Sequence, residues 1–213
     1  MTEKESFADK VRDHAIDDDS PHAHQPSGRR RWADFLKHRW PTALGIALAA
    51  LTAFDLEIDA GSVSSLSALV VLMALVYVGT AALDRRRASW AVFLAGSAVV
   101  VVFLDLLDSR LDPSVVLLLV ALVFLVLGVA RGLLWRPGGL TLQAAGMIGF
   151  GAVALIALYV DPDLGGYLVA AALLGHAGWD AYHFLRDRVV ARSYAEFCGV
   201  LDLLVGAAIL FIM

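Results

Sequence analysis

The sequence predicts an all-α, polytopic membrane protein of seven transmembrane helices, and three observations carry that expectation. Apolar and aromatic residues make up 59% of the 213-residue chain and charged residues only 18%, against roughly 45–50% and about 25% in soluble domains. The mean hydropathy is +0.72. The charges are also crowded: the first forty residues hold 8 of the 17 Lys and Arg and 8 of the 21 Asp and Glu, so the remainder is more apolar than the average. Finally, the apolar runs approach the ~20 residues that cross a bilayer and lack the period-2 alternation of a β-barrel strand. This composition excludes a soluble enzyme, a coiled coil and a nucleic-acid binder with a basic face. A single cysteine, Cys198, excludes a disulfide scaffold.

Residues 1–28 are charged and without apolar periodicity, which predicts a disordered cytoplasmic tail. The polar stretch is too long for a cleavable signal. Pro21-His22-Ala23-His24 within it reads as floppy tail in preference to a weak metal site. From 29 to 40, Trp32, Phe35, Leu36 and Trp40 share a helical face amid Arg30, Arg31, Lys37 and Arg39, as in an interfacial amphipathic helix on an anionic leaflet. Pro41 is expected to turn the chain into the membrane and to open a transmembrane domain over 41–213.

Its spans are expected near Trp40–Phe54, Gly61–Leu83, Ser89–Leu107, Pro113–Ala130, Leu140–Val160, Leu164–Leu185 and Ser193–Met213. Asp112-Pro113 and Asp161-Pro162-Asp163 carry helix-start chemistry, a capping carboxylate before a proline in the first turn. With the N-terminus in the cytoplasm, 16 of the 17 Lys and Arg fall on the inner side, Arg110 being the exception. The outer loops are acidic, with Asp55, Glu57, Asp59, Asp105, Asp108, Asp112, Asp161 and Asp163. The positive-inside rule then predicts a multi-pass protein of the cell (inner) membrane, N-terminus cytoplasmic and C-terminus extracytoplasmic.

The chain carries a weak internal likeness. Shifts of 104–106 residues bring Gly45 onto Gly151, Asp55 onto Asp161, and Ser89-Trp90-Ala91-Val92-Phe93 onto Ser193-Tyr194-Ala195-Glu196-Phe197. A parallel repeat of three helices on each side of a linking fourth follows, a layout some small transporters use. Chance matching between apolar helices is the competing explanation.

Ionisable groups within membrane spans mark functional candidates. The sixth span holds His176, Asp180 and His183, and the seventh holds Glu196, Cys198 and Asp202. At about 100° per residue the three groups of the sixth span project within roughly 60° of one another. Cys198 and Asp202 are one turn apart, while Glu196 points roughly 120° away from Asp202. Rising about 1.5 Å per residue from the cytoplasmic turn, His183 lies level with Glu196, Asp180 with Cys198, and His176 with Asp202. The expectation is a ladder of imidazoles and carboxylates in the cytoplasmic half of the bilayer.

Three readings compete. His176, Asp180, His183, Glu196 and Asp202 supply ligands for a divalent metal such as zinc, iron or manganese. Alternatively they relay protons, or they are interhelical glue worth about 0.6 kcal/mol per bond. Cys198 reads as a small core residue. Gln143 is placed to reach the ladder, and Gly146, Gly149 and Gly151 to form a strip of close helix contact. The only lysines, Lys4, Lys10 and Lys37, lie outside the spans, which excludes a retinal Schiff base. No glycine-rich nucleotide fingerprint or nucleophile elbow is present. The functional expectation is a solute or ion/proton-coupled carrier. The alternatives are a membrane-embedded metal enzyme acting on a lipid or isoprenoid, and a structural subunit of a membrane complex. Membrane lipids are the expected partners, with self-association open and no nucleic acid.

Overall fold

The computed structural model describes residues 28–59, 63–102, 112–136 and 139–212. The predicted tail lies outside them, as do Asp105, Asp108 and Arg110, the side chains of the predicted interfacial helix up to His38, and those of Asp55, Glu57 and Asp59. Among the described residues there are seven α-helices, one short 3-10 turn at Arg86–Ala88 and no strand. The helices are α1 (Gly28–Asp59), α2 (Val63–Leu83), α3 (Ser89–Val101), α4 (Pro113–Ala130), α5 (Leu140–Ala157), α6 (Pro162–Arg186) and α7 (Arg192–Ile212). The chain divides into two units, Met1–His38 and Arg39–Met213, and the packing and the site described below belong to the second.

Four helices, α2, α4, α5 and α7, are long and apolar enough to cross a membrane. Helix α6, though 25 residues long, carries a polar stripe that sets it apart from these four. The expected break at Pro41 does not occur, because Pro41 lies inside α1 and is buried. A proline removes one backbone donor, which membrane helices tolerate when neighbours or local adjustment satisfy the freed carbonyl.

The helix starts follow the sequence chemistry. Asp112 accepts a hydrogen bond from the Ser114 amide at 2.8 Å ahead of Pro113. Asp161 accepts one from the Asp163 amide at 3.0 Å ahead of Pro162. Each satisfies a backbone donor that the first turn leaves free. Asp112 also accepts from the Ser64 hydroxyl at 2.5 Å, joining the starts of α2 and α4.

Helix α2 is the axis of the bundle. It is apolar all round, the pattern of a helix buried on every side, and every residue from Val70 to Thr80 is buried. It packs against α3, α4, α5 and α6. Helices α6 and α7 form the most extensive pair, and glycines of α7 set its closeness. A Cβ on Gly199 would lie 3.2 Å from the Asp180 Cβ, and one on Gly206 would lie 3.0 Å from the Leu174 Cγ and 3.2 Å from the Ala170 carbonyl oxygen. The glycines of α5 do not form one strip. Gly146 faces Trp179, Gly151 faces Leu118, and a Cβ on Gly149 would meet nothing within 4 Å; Gly146 and Gly151, five residues apart, point about 140° away from each other.

Three turns bond to one another at one end of the bundle. Arg136 pairs with Asp84 at 2.9 Å, Arg86 pairs with Asp187, and Arg131 donates to the Ala82 carbonyl at 2.7 Å. Asp84 and Asp187 end α2 and α6 with φ of 54° and 47°, the left-handed closure that short polar side chains tolerate. The hydrogen bond from Arg86 holds the Asp187 carboxyl below the usual carboxylate range.

The two segments aligned by the internal likeness face each other. Trp90 Nε1 donates to the Ser193 hydroxyl at 3.1 Å, and the Trp90–Tyr194 and Phe93–Phe197 ring pairs lie 5.6 and 5.3 Å apart. The packing around them is unequal: α2 is enclosed, whereas α6 exposes Leu164, Tyr167, Tyr182 and Leu185.

Gly45 of α1 seats that helix on α7, where a Cβ would come 2.8 Å from the Phe197 carbonyl oxygen. Backbone cannot yield as a side-chain tip does, so Gly45→Ala should cost about 1–3 kcal/mol of overpacking. The check is thermal unfolding in detergent. Gly45→Ala should melt below the parent protein, and Gly149→Ala, which adds a methyl in open space, should not.

Candidate functional site

On α6 the buried positions Gly166, Val169, Leu173, His176, Asp180 and His183 recur at steps of three and four. On α7, Tyr194, Cys198, Asp202, Val205 and Ile209 do likewise. Polar and apolar residues thus share one seam on each helix. The turn over 187–191 folds the two seams together antiparallel, bringing His176 level with Asp202.

His176 Nδ1 lies 2.7 Å from Asp202 Oδ2 and 3.2 Å from Asp180 Oδ2. The contact with Asp202 has hydrogen-bond geometry, with the ring N–H donating to the carboxylate. Asp180 accepts from the Tyr77 hydroxyl through Oδ1. Cys198 Sγ is 3.7 Å from Asp202 Oδ2 and 3.2 Å from the thioether sulfur of Met73, to which the Tyr194 hydroxyl also donates at 3.4 Å. Phe150 sets its ring edgewise to His176, with centroids 4.9 Å apart. His176, Asp180, Cys198 and Asp202 are each at most 1% exposed. One nitrogen, oxygen or sulfur from each of the four lies within 4.8 Å of the others. Three polar atoms in this centre have no hydrogen-bond partner: His176 Nε2, Asp180 Oδ2 and Asp202 Oδ1.

His183 is buried but belongs to a different set of contacts. Its Nδ1 lies 2.9 Å from the Trp179 carbonyl, to which it must donate. Nε2 is then the acceptor, and Gln143 of α5 donates to it at 3.0 Å. The ring is enclosed by Tyr77 and Trp179 at centroid distances of 4.8 and 5.2 Å. Glu196 faces away from the centre. It accepts from the Thr42 hydroxyl at 2.5 Å and from Arg39 at 3.2 Å, tying α7 to α1. For His183 and Glu196 the expectation is an outer rung or exposure to water; the two do not meet, each being held by a different neighbouring helix, and His183 is buried.

Of the five candidate residues, His176, Asp180 and Asp202 come together and His183 and Glu196 do not. The centre adds Cys198, which the sequence reading assigned to packing, and Tyr77, which it passed over. For Cys198 the signal was its one-turn spacing to Asp202. For Tyr77 it was a phenol hydroxyl well inside an apolar helix, which has to find a partner.

Two carboxylates taken out of water need protons, a cation or donors to balance them, and the donors present are one imidazole, one phenol and one thiol. Chemically, the four side chains set nitrogen, oxygen and sulfur atoms close enough together to be ligands of one metal ion. No protein-family model, curated protein or solved structure matches the chain.

Tyr77→Phe deletes the hydroxyl and leaves Asp180 Oδ1 buried without its donor, a change that costs about 1–3 kcal/mol. It should lower the melting temperature in detergent. Tyr182→Phe, on a side chain 46% exposed, should leave it unchanged.

Proposed function

We propose that the protein is a small seven-span carrier of the cell membrane, in which the His176–Asp180–Asp202 centre takes up and releases a cation in exchange for protons. The observation that carries this reading is the pairing of two dry carboxylates around one imidazole, with His176 Nε2 and Asp202 Oδ1 left without a hydrogen-bond partner. Structural glue alone would be expected to leave no buried polar atom unmet. Intramembrane acids and histidines that face the interior of a bundle are the usual elements of ion and proton pathways.

The seven-span topology takes α1, α3 and α6 as crossing helices beside α2, α4, α5 and α7, with residues 1–28 as the cytoplasmic tail and 29–40 on the inner leaflet. Its support is the positive-inside count and the mutual bonding of the α2–α3, α4–α5 and α6–α7 turns at one end. The 3+1+3 repeat draws on the opposed Ser89–Phe93 and Ser193–Phe197 segments. A reporter fused after Met213 should read extracytoplasmic and one inserted at Arg86 cytoplasmic; the same side for both would overturn the topology.

The carrier reading is tested in vesicles that enclose a pH-sensitive dye and contain the purified full chain. A panel of external monovalent and divalent cations is applied in turn. One of them should drive proton movement in the parent protein and fail to do so in Asp202→Asn. Equal proton movement in the two folded proteins would refute it.

A further inference from the structure

We infer that His176, Asp180, Cys198 and Asp202 form a site for a thiophilic divalent transition metal of the zinc class. The inference rests on the reading of this centre as the carrier's cation site, and it names the ion.

The ligand chemistry selects among metals. Magnesium and calcium take six or more oxygen ligands, from carboxylates, carbonyls and water, and have little use for sulfur. This centre offers two carboxylates, one imidazole and one sulfur in a dry setting. One nitrogen, one sulfur and two oxygens within 4.8 Å of one another are a four-ligand set for zinc, which accepts Cys, His and Asp together in tetrahedral sites. Two carboxylates and a neutral imidazole offset a divalent ion, and loss of the thiol proton on binding adds a further negative ligand that leaves one net negative charge on the filled site.

The orphan atoms point the same way. Tyr77 engages Asp180 through Oδ1 and leaves Oδ2 with only the 3.2 Å contact to His176 Nδ1, and Asp202 uses Oδ2 and leaves Oδ1 without a hydrogen bond. Both carboxylates thus keep a buried lone-pair oxygen for an ion. Tyr77 is the outer partner that orients one ligand, as the groups behind metal ligands generally do. His183 and Glu196 stand outside the set, because Gln143 and Trp179 hold the first and Arg39 and Thr42 the second.

The test uses the full chain purified in detergent without a polyhistidine tag. His22→Ala and His24→Ala are included so that the tail contributes no ligands. After chelator treatment the protein is titrated with zinc alone, and in parallel with cobalt(II) as a spectroscopic substitute. The expected result is one zinc per chain, and a cobalt spectrum showing tetrahedral visible bands together with a thiolate-to-metal charge-transfer band. Cys198→Ser should keep visible bands and lose the charge-transfer band. Asp202→Asn should abolish stoichiometric uptake, and Tyr77→Phe should weaken it by about 10- to 100-fold.

Should Asp202→Asn fail to fold, Cys198→Ser decides the matter, since loss of a sulfur-specific band is not a stability effect. No stoichiometric zinc in the parent protein, copper(I) taken in preference to zinc, or an unchanged cobalt spectrum in Cys198→Ser would each overturn the inference. Proton-coupled flux without zinc binding would refute the metal and keep the carrier. Stoichiometric zinc without flux of any cation would do the reverse.

Discussion

The close approach of α7 to α6 is the constraint on which the centre depends. Gly199 and Gly206 lie seven residues apart on α7, and each brings that helix against α6 where a methyl would crowd Asp180 or Leu174. Asp202 stands between them, three residues beyond one and four short of the other. With the helices held that near, its carboxylate reaches His176 at 2.7 Å. A wider spacing would leave a buried carboxylate with no donor, so the glycines supply packing and the electrostatic partner together. In lipid, where apolar side chains gain little by leaving the solvent for one another, such close backbone approach is a main source of helix association.

The other half of the centre comes from the opposite side of the bundle. Helix α2 contributes Met73 and Tyr77, one turn apart, from a stretch that is otherwise aliphatic and fully enclosed. Met73 meets Cys198 and Tyr194 of α7, and Tyr77 meets Asp180 of α6 and stacks near His183. Any shift of α2 along its axis is thereby felt by both helices of the polar pair. This link joins the central helix to the charged seam without adding a charge to α2 itself.

Much of this was legible in the sequence because a helix obeys one period. His176, Asp180 and Asp202 could be aligned from 3.6 residues per turn, 1.5 Å of rise and a short connecting turn. The caps at Asp112 and Asp161 followed from proline chemistry. What escaped had no local signature. Tyr77 looks like packing until α6 is set beside it. Glu196 and His183 share a level, but rotation about the helix axis gives Glu196 to α1 and the neighbouring α5 claims His183. The α5 glycines are close in sequence and point to three different surroundings. The break at Pro41 failed for a related reason: a proline is a strong boundary signal in water and a weaker one where neighbouring segments can satisfy the backbone it frees.

The burial of α2 bears on how the molecule is made. Chains are synthesised from the N-terminus, so α2 emerges before α4, α5 and α6, the helices that will enclose it. Its aliphatic surface is suited to wait, because hydrocarbon solvates it as well as its later neighbours do, and its single buried phenol is a small penalty to carry meanwhile. Helix α6 has no such freedom. His176 and Asp180 find their partners on α7, joined by the turn over 187–191, and on α2, while His183 takes its partner from α5. The polar groups of α6 are therefore all met only once three other helices stand beside it.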